Sequence, residues 1–216
     1  MHGIMADLIS VISWIVITYV IPVIAIIISV VSAYYTHLRS GKIDVLPPRM
    51  CYFQHVQDTA FRPSIVLPLT FVNSGARITS VLNLSLNVEF VPENEGNVRN
   101  LTFALVGEYD TYPNPSEESM AAQFSVRGYE SVSKTFDFRL SNESLQLMQR
   151  FERGAYTIRV EVEVVENGIF TKLLRKSPFK RFIPNFCIVV ELTRDVREYL
   201  GCALSREDDQ RYSCRM

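Results

Sequence analysis

Histidine is scarce in this chain. The 216 residues include three, His2, His37 and His55, too few and too scattered for a metal centre built on imidazole. The four cysteines, Cys51, Cys187, Cys202 and Cys214, contain no close pair of the C-x2-C kind. They also lack the density of a small disulfide-stapled domain, so free thiols in a reducing compartment are expected. No G-x-x-x-x-G-K-S/T phosphate loop and no G-x-S-x-G nucleophile turn is present. Basic excess is missing too: 22 Lys and Arg stand against 23 Asp and Glu, a net charge of −1, which weighs against nucleic acid as a partner. Neither a cofactor nor a metal is expected, and the chain reads as a non-enzyme.

Charge is absent altogether from Leu8 to Tyr35, a run of 28 residues reading LISVISWIVITYVIPVIAIIISVVSAYY. As a helix rising about 1.5 Å per residue it would reach about 42 Å, more than the ~30 Å hydrocarbon core of a bilayer. A cleaved signal peptide has a basic start and an apolar core of about 7–15 residues; here no Lys or Arg precedes Leu8. The stretch therefore reads as a single-pass anchor. Pro22 removes a backbone donor mid-span and predicts a kink. Ser10, Ser13, Ser29 and Ser32 offer small polar positions for a helix contact, and Tyr34–Tyr35 suits an interfacial belt. Arg39, Lys42 and Arg49 flank only the C-terminal side, which predicts the N-terminus outside and the following domain in the cytoplasm. Three Asn-x-Ser/Thr triplets, at Asn83, Asn100 and Asn142, argue the other way for a eukaryotic source.

The remaining residues form one domain by length. The divisions expected are an anchor over 1–39, a linker over 40–48 (SGKIDVLPP from Ser40), a β-domain over 49–204 and a polar tail over 205–216. Period-two alternation dominates. Ser64–Val72 is apolar, with Pro68 marking an edge or bulge, and Asn73-Ser74-Gly75 has turn chemistry. Leu82, Leu84, Leu86, Val88 and Phe90 alternate with polar residues, Leu101, Phe103 and Leu105 with Thr102 and Ala104, and Phe136, Phe138 and Leu140 with Asp137 and Arg139. A short helix is expected over 141–152, from Leu145, Met148 and Phe151. Tyr156–Val164 alternates again, and Asn167-Gly168 predicts a hairpin to 169–174. Phe186–Leu192 supplies a last strand. From Thr193 the spacing of Val196, Tyr199, Leu200, Ala203 and Leu204 predicts a terminal helix.

Seven or eight antiparallel strands with one wet face predict a β-sandwich. LPLTFVNSGARITSVLNLSLNV (67–88) resembles the second and third strands of immunoglobulin-like bacterial and archaeal domains. RGAYTIRVEVEVV (153–165) resembles the strand that carries the tyrosine corner in such folds, with Tyr156 in the corner position. The resemblance implies an immunoglobulin-like sandwich behind a membrane helix, and it implies no activity.

Candidate chemistry is thin. Cys51 and His55 would need to face each other to form a nucleophile pair. Glu161 and Glu163 could act as paired carboxylates, yet they alternate with Arg159 on a face expected to meet water. The basic stretch Lys172, Arg175, Lys176, Lys180 and Arg181, interleaved with Phe179, Phe182 and Ile183, suits an anionic membrane surface. The loop with Tyr109, Asp110, Tyr112, Glu117 and Glu118 offers a protein contact. The function expected is a membrane-tethered interaction or scaffold module that binds a protein partner, a second copy of itself or the lipid bilayer. The alternatives are a small-ligand sensor or enzyme with a pocket in the sandwich, and an oligomeric pore or transport subunit.

Overall fold

The computed structural model describes residues 14–39, 41–57, 61–94, 96–109, 119–120, 123–165, 179–196, 199–206 and 210–215. It begins with a helix. The regular segment α1 (Ile21–Ala33) is flanked by wider-wound turns over Val16–Val20 and Tyr34–Leu38. The span Val16–His37 has a mean hydropathy of 2.6 and none of it is buried. Pro22 sits in the first turn of α1. The turn before it is widened, with the Ile21 N–H reaching back to the Val16 carbonyl, a common way for a helix to absorb a missing donor. Ser29 Oγ donates to the Ala25 carbonyl at 2.8 Å and Thr36 Oγ1 to that of Ser32 at 2.8 Å, so these hydroxyls are turned back on their own helix.

The strands are β1 (Ile43–Leu46), β2 (Met50–Gln57), β3 (Phe61–Asn73), β4 (Thr79–Pro92), β5 (Arg99–Tyr109), β6 (Ser119–Met120), β7 (Phe124–Val126), β8 (Ser131–Leu140), β9 (Gly154–Val165), β10 (Phe179–Phe182), β11 (Cys187–Leu192), β12 (Tyr199–Ala203), β13 (Ser205–Arg206) and β14 (Arg211–Arg215). They join in one sheet ordered β12-β2-β3-β8-β5-β4-β9-β11-β14-β13, with β1 on β3, β10 on β9, β6 on β5 and β7 on β4. The fold is mainly β, a nearly closed barrel-like sheet behind one apolar helix.

Alternation builds this barrel as the sequence implies. Leu84, Leu86, Val88 and Phe90 of β4 pack inward against Val162, Val160, Ile158 and Tyr156 of β9. One residue departs from the pattern. A bulge between Val81 and Asn83 shifts the phase, so Val81 is buried while Leu82 is only partly covered. Pro68 falls in the interval 67–69 of β3, which pairs with neither β2 nor β1 on that side; its missing N–H therefore costs no ladder bond.

Four expectations need correction. The 40–48 segment contains β1, paired with Thr70–Asn73 of β3, because Ile43 and Val45 are apolar and complete the core. The 141–152 helix is a single tight turn, Ser144–Gln146. Among the described residues strands stand where the terminal helix is expected: Tyr199–Ala203 is β12, paired with β2, and Arg211–Arg215 is β14, paired in parallel with β11. The helical spacing there coincides with alternation that buries Cys202. Finally, Cys202 and Cys214 form a disulfide, leaving Cys51 and Cys187 free. β12 and β14 lie near opposite ends of the strand path; curvature brings them together, and the bond ties the sheet closed.

Tyr156 is fully buried near the start of β9. Its ring stacks on Phe90 with centroids 4.4 Å apart, and its hydroxyl donates to the Glu152 carbonyl at 2.8 Å while accepting the Glu152 N–H at 2.9 Å. Burial pushes its ionisation well up, so it stays a neutral phenol. Tyr156→Phe orphans both Glu152 groups and is expected to lower stability by about 1–2 kcal/mol, read as a shifted urea midpoint at unchanged slope.

Candidate functional site

The end of the barrel that meets the helix, its base, is built around Asn73. This side chain is fully buried. Its Oδ1 accepts the N–H groups of Lys42 (3.2 Å) and Gly75 (3.0 Å), and its Nδ2 donates to the carbonyls of Arg77 (2.7 Å) and Val126 (3.0 Å). One amide thus ties the segment leaving the helix to the β3–β4 turn and to β7. Two backbone bonds reinforce the union, Ser74 N–H to Lys42 O at 3.0 Å and Ala76 N–H to Arg39 O at 3.2 Å.

The β7–β8 turn completes the base. Gly128 lies so close to the β3–β4 turn that a Cβ there would stand 2.0 Å from the Ala76 carbonyl oxygen; no other residue fits. Tyr129 follows with φ at +60°, a region that bulky residues rarely adopt. Such strain persists where the surroundings impose it. Here the Tyr129 hydroxyl donates to the Tyr35 carbonyl at 2.5 Å, one of the carbonyls a helix end leaves without an internal partner. The Arg39 guanidinium stands 5.8 Å over the Tyr35 ring. Ile78, at 54% exposure, and Tyr129, at 57%, project outward at this end, with Arg127 and Glu130 also exposed.

Above the base the barrel has a seam. β1 runs along one border and β10 along the other; both start at the base, β1 at Ile43 opposite Asn73 and β10 at Phe179 opposite Val165. Between them lies a slot of about 440 Å³. Its walls include Ile43, Val45, Val164, Phe182 and Phe186, with Lys42 and Lys180 at the base end and Tyr212 at the other. Further from the base the same seam is shut by β12, β14 and their disulfide.

The residues singled out from sequence separate into groups. Lys172, Arg175 and Lys176 lie outside the described residues, but the strand ends that bracket them, Val165 and Phe179, are paired at the base. Lys180 lines the slot. Arg181 is paired with Glu161 at 3.0 Å. Of the loop residues, Tyr109 ends β5 opposite Thr135; Asp110, Tyr112, Glu117 and Glu118 lie outside the described residues. Glu161 also accepts from Asn87 Nδ2 at 2.5 Å, so it is held in a structural network. Cys51 and His55 do not meet. Burial pushes the Cys51 thiol up. His55 Nε2 is bonded to the Val196 carbonyl at 2.8 Å and its ring packs on Phe151; burial, then the nearby Arg150, holds it below the usual imidazole range against that bond. Among the described residues no three His, Cys, Asp or Glu side chains gather as a metal site.

Two features gave no signal in the sequence. Asn73 reads there as one more turn residue, and only the fold shows it bonding three segments. Asp137 is fully buried on a strand whose pattern marks it as a wet position; it accepts from Ser64 Oγ and pairs with Arg139 at 3.1 Å.

No protein-family description and no curated protein sequence matches the chain. Among solved structures, one assigned as an ApaA protein from Bordetella pertussis aligns with 68% of this chain and 91% of its own, at 9% identity and a TM-score of 0.33. A likeness at that level carries no argument about fold or function.

Proposed function

We propose that this chain is a membrane-tethered, non-catalytic binding module whose barrel stands base-down on the bilayer surface. The observation that carries the reading is the direct union of the lipid-length helix with the barrel. Tyr129 caps the helix end, Arg39 and Lys42 are bonded into the β3–β4 turn, and Ile78 and Tyr129 extend apolar surface at that level. Aromatic rings with basic neighbours are the composition of a membrane interface. Spent roles for Cys51, His55 and Glu161 support a module without chemistry of its own. The Cys202–Cys214 bond favours the oxidising side of the membrane, against the cytoplasmic placement that the flanking charges suggest; Arg39 and Lys42 are then read as parts of the base. The immunoglobulin-like kinship of 67–88 and 153–165 belongs to the same proposal, supported by the Tyr156 corner.

Tryptophan tests the reading cleanly, because the chain has only Trp14. In a Trp14→Phe background, Ile78→Trp is expected to be quenched by lipids brominated near the headgroup. Leu147→Trp, exposed beside the far-end residue Arg99, is expected to stay unquenched. Equal and weak quenching at both positions would show a barrel held clear of the membrane.

A further inference from the structure

We propose that Cys202 has two disulfide partners in this fold, Cys214 and Cys51, and that exchange between them is a latch that clamps or frees the C-terminal strand β14. The latch goes beyond the base-down reading and does not depend on it.

Three of the four cysteines meet where the barrel closes. Cys51 and Cys202 stand directly opposite each other in the antiparallel β2–β12 pair, and directly opposite residues share one face of a sheet. Both are fully buried members of the barrel core, and Cys214 packs against that core. The Leu204 N–H bonds to the Arg49 carbonyl at 2.9 Å, two positions along the same register. Alternation therefore makes Cys51 and Cys202 a hydrogen-bonded pair as well, with Cα atoms about 5.5 Å apart. Cys202 and Cys214 are bonded with their Cα atoms 6.4 Å apart. Disulfides span Cα separations of roughly 4.4–6.8 Å, so the backbone places Cys202 within bonding reach of both partners.

The exchange needs no outside reagent. The Cys51 Sγ, as a thiolate, attacks the Cys202 Sγ, and the new bond forms as the Cys202–Cys214 bond breaks. Cys214 leaves as a thiolate and takes up the proton that Cys51 gave up, so one disulfide and one thiol stand on each side of the step. Burial pushes the Cys51 thiol up; it stays protonated, and the exchange is slow. The two states differ in what they hold. With Cys202–Cys214, strands near opposite ends of the path are clamped across the seam. With Cys51–Cys202, the bond joins two strands that are already neighbours, and β14 is left to its five paired positions on β11 and two on β13. The C-terminal strand is then free to leave while β2, β12 and the rest of the path stay paired.

The test uses the full chain in nanodiscs, carrying Cys187→Ser so that one disulfide and one thiol remain. The chain is held under native conditions with excess maleimide, quenched in acid, digested without reductant and mapped by mass spectrometry. Each exchange exposes the Cys214 thiol to the trap. The expected product, growing with time, has an alkylated Cys214 and a Cys51–Cys202 crosslink. In a Cys51→Ala variant of the same chain, alkylation at Cys214 is expected to be lost. Alkylation at Cys51 with Cys202–Cys214 intact, no alkylation of Cys214 before denaturation, or equal alkylation of Cys214 in Cys51→Ala would each overturn the proposal. A Cys214→Ser variant tests the second bond directly. Oxidised glutathione is expected to close Cys51–Cys202 in it, with the glutathione released in reduced form and the far-ultraviolet circular dichroism unchanged. Glutathione retained on either cysteine as a stable mixed disulfide would show that the two sulfurs do not reach each other, and would equally overturn the proposal.

Discussion

Asn73→Ala is expected to destabilise the chain by about 3 kcal/mol and to loosen the helix from the barrel. The side chain satisfies two N–H groups and two carbonyls, and a buried group left unpaired costs about 1–3 kcal/mol. Relaxation and water entry at the base return part of the sum, so a total near 3 kcal/mol is the reasonable expectation. The effect should be local in a way that ordinary core damage is not. Lys42 is released from β3 while the β4–β9 pairing, which runs through the apolar interior, keeps its contacts. Quenching of Ile78→Trp by brominated lipid should therefore fall at temperatures where far-ultraviolet circular dichroism still reports an intact sheet. Asn73→Asp tests the same geometry from the other side. It keeps the two acceptor contacts, loses both donor contacts and places a charge where no water reaches, so it should be at least as damaging. Wild-type stability in either variant would show that the base is held by other means.

How far the sequence alone leads can be judged at this same place. The turn at Asn73-Ser74-Gly75 is legible, because Asn and Gly meet the backbone demands of a tight turn. The apolar helix is legible from its length without charge, and most of the interior from period two, including the buried Tyr156. What escapes is whatever depends on partners distant in the chain. Asn73 reaches Lys42 and Val126, 31 and 53 residues away, and no local pattern encodes those meetings. The segment 193–204 shows a second kind of failure. Its apolar residues fall at helical intervals, yet β2 offers an open border and pairing with it buries Cys202 beneath the sheet; tertiary pairing outweighs local preference. The bulge at Leu82 shows a third, since one inserted residue reverses inside and outside without leaving a mark in composition.

The same misread segment holds the last large effect. Cys202→Ser is expected to cost about 2–4 kcal/mol, the usual worth of a bond closing a loop of this size; the two cysteines are 12 residues apart in sequence. The structural consequence should exceed what that number suggests, because the bond joins strands from opposite ends of the sheet path. Without it, β12 is held to β2 by five paired positions, and the seam is free to open along its whole length. Cys51 reports that opening. It lies directly across from Cys202 in the β2–β12 pairing, is fully buried, and is kept as an unreactive thiol by that burial. In the native chain, Cys187 is the free thiol expected to react first with a maleimide, with Cys51 silent until denaturation. In Cys202→Ser, or after mild reduction, Cys51 should become reactive under native conditions. Denaturing titration without reductant should count two thiols, rising to four after reduction. Four thiols before reduction would mean that the bond does not form where the protein resides, and would return the barrel to the cytoplasmic side that Arg39, Lys42 and Arg49 suggest.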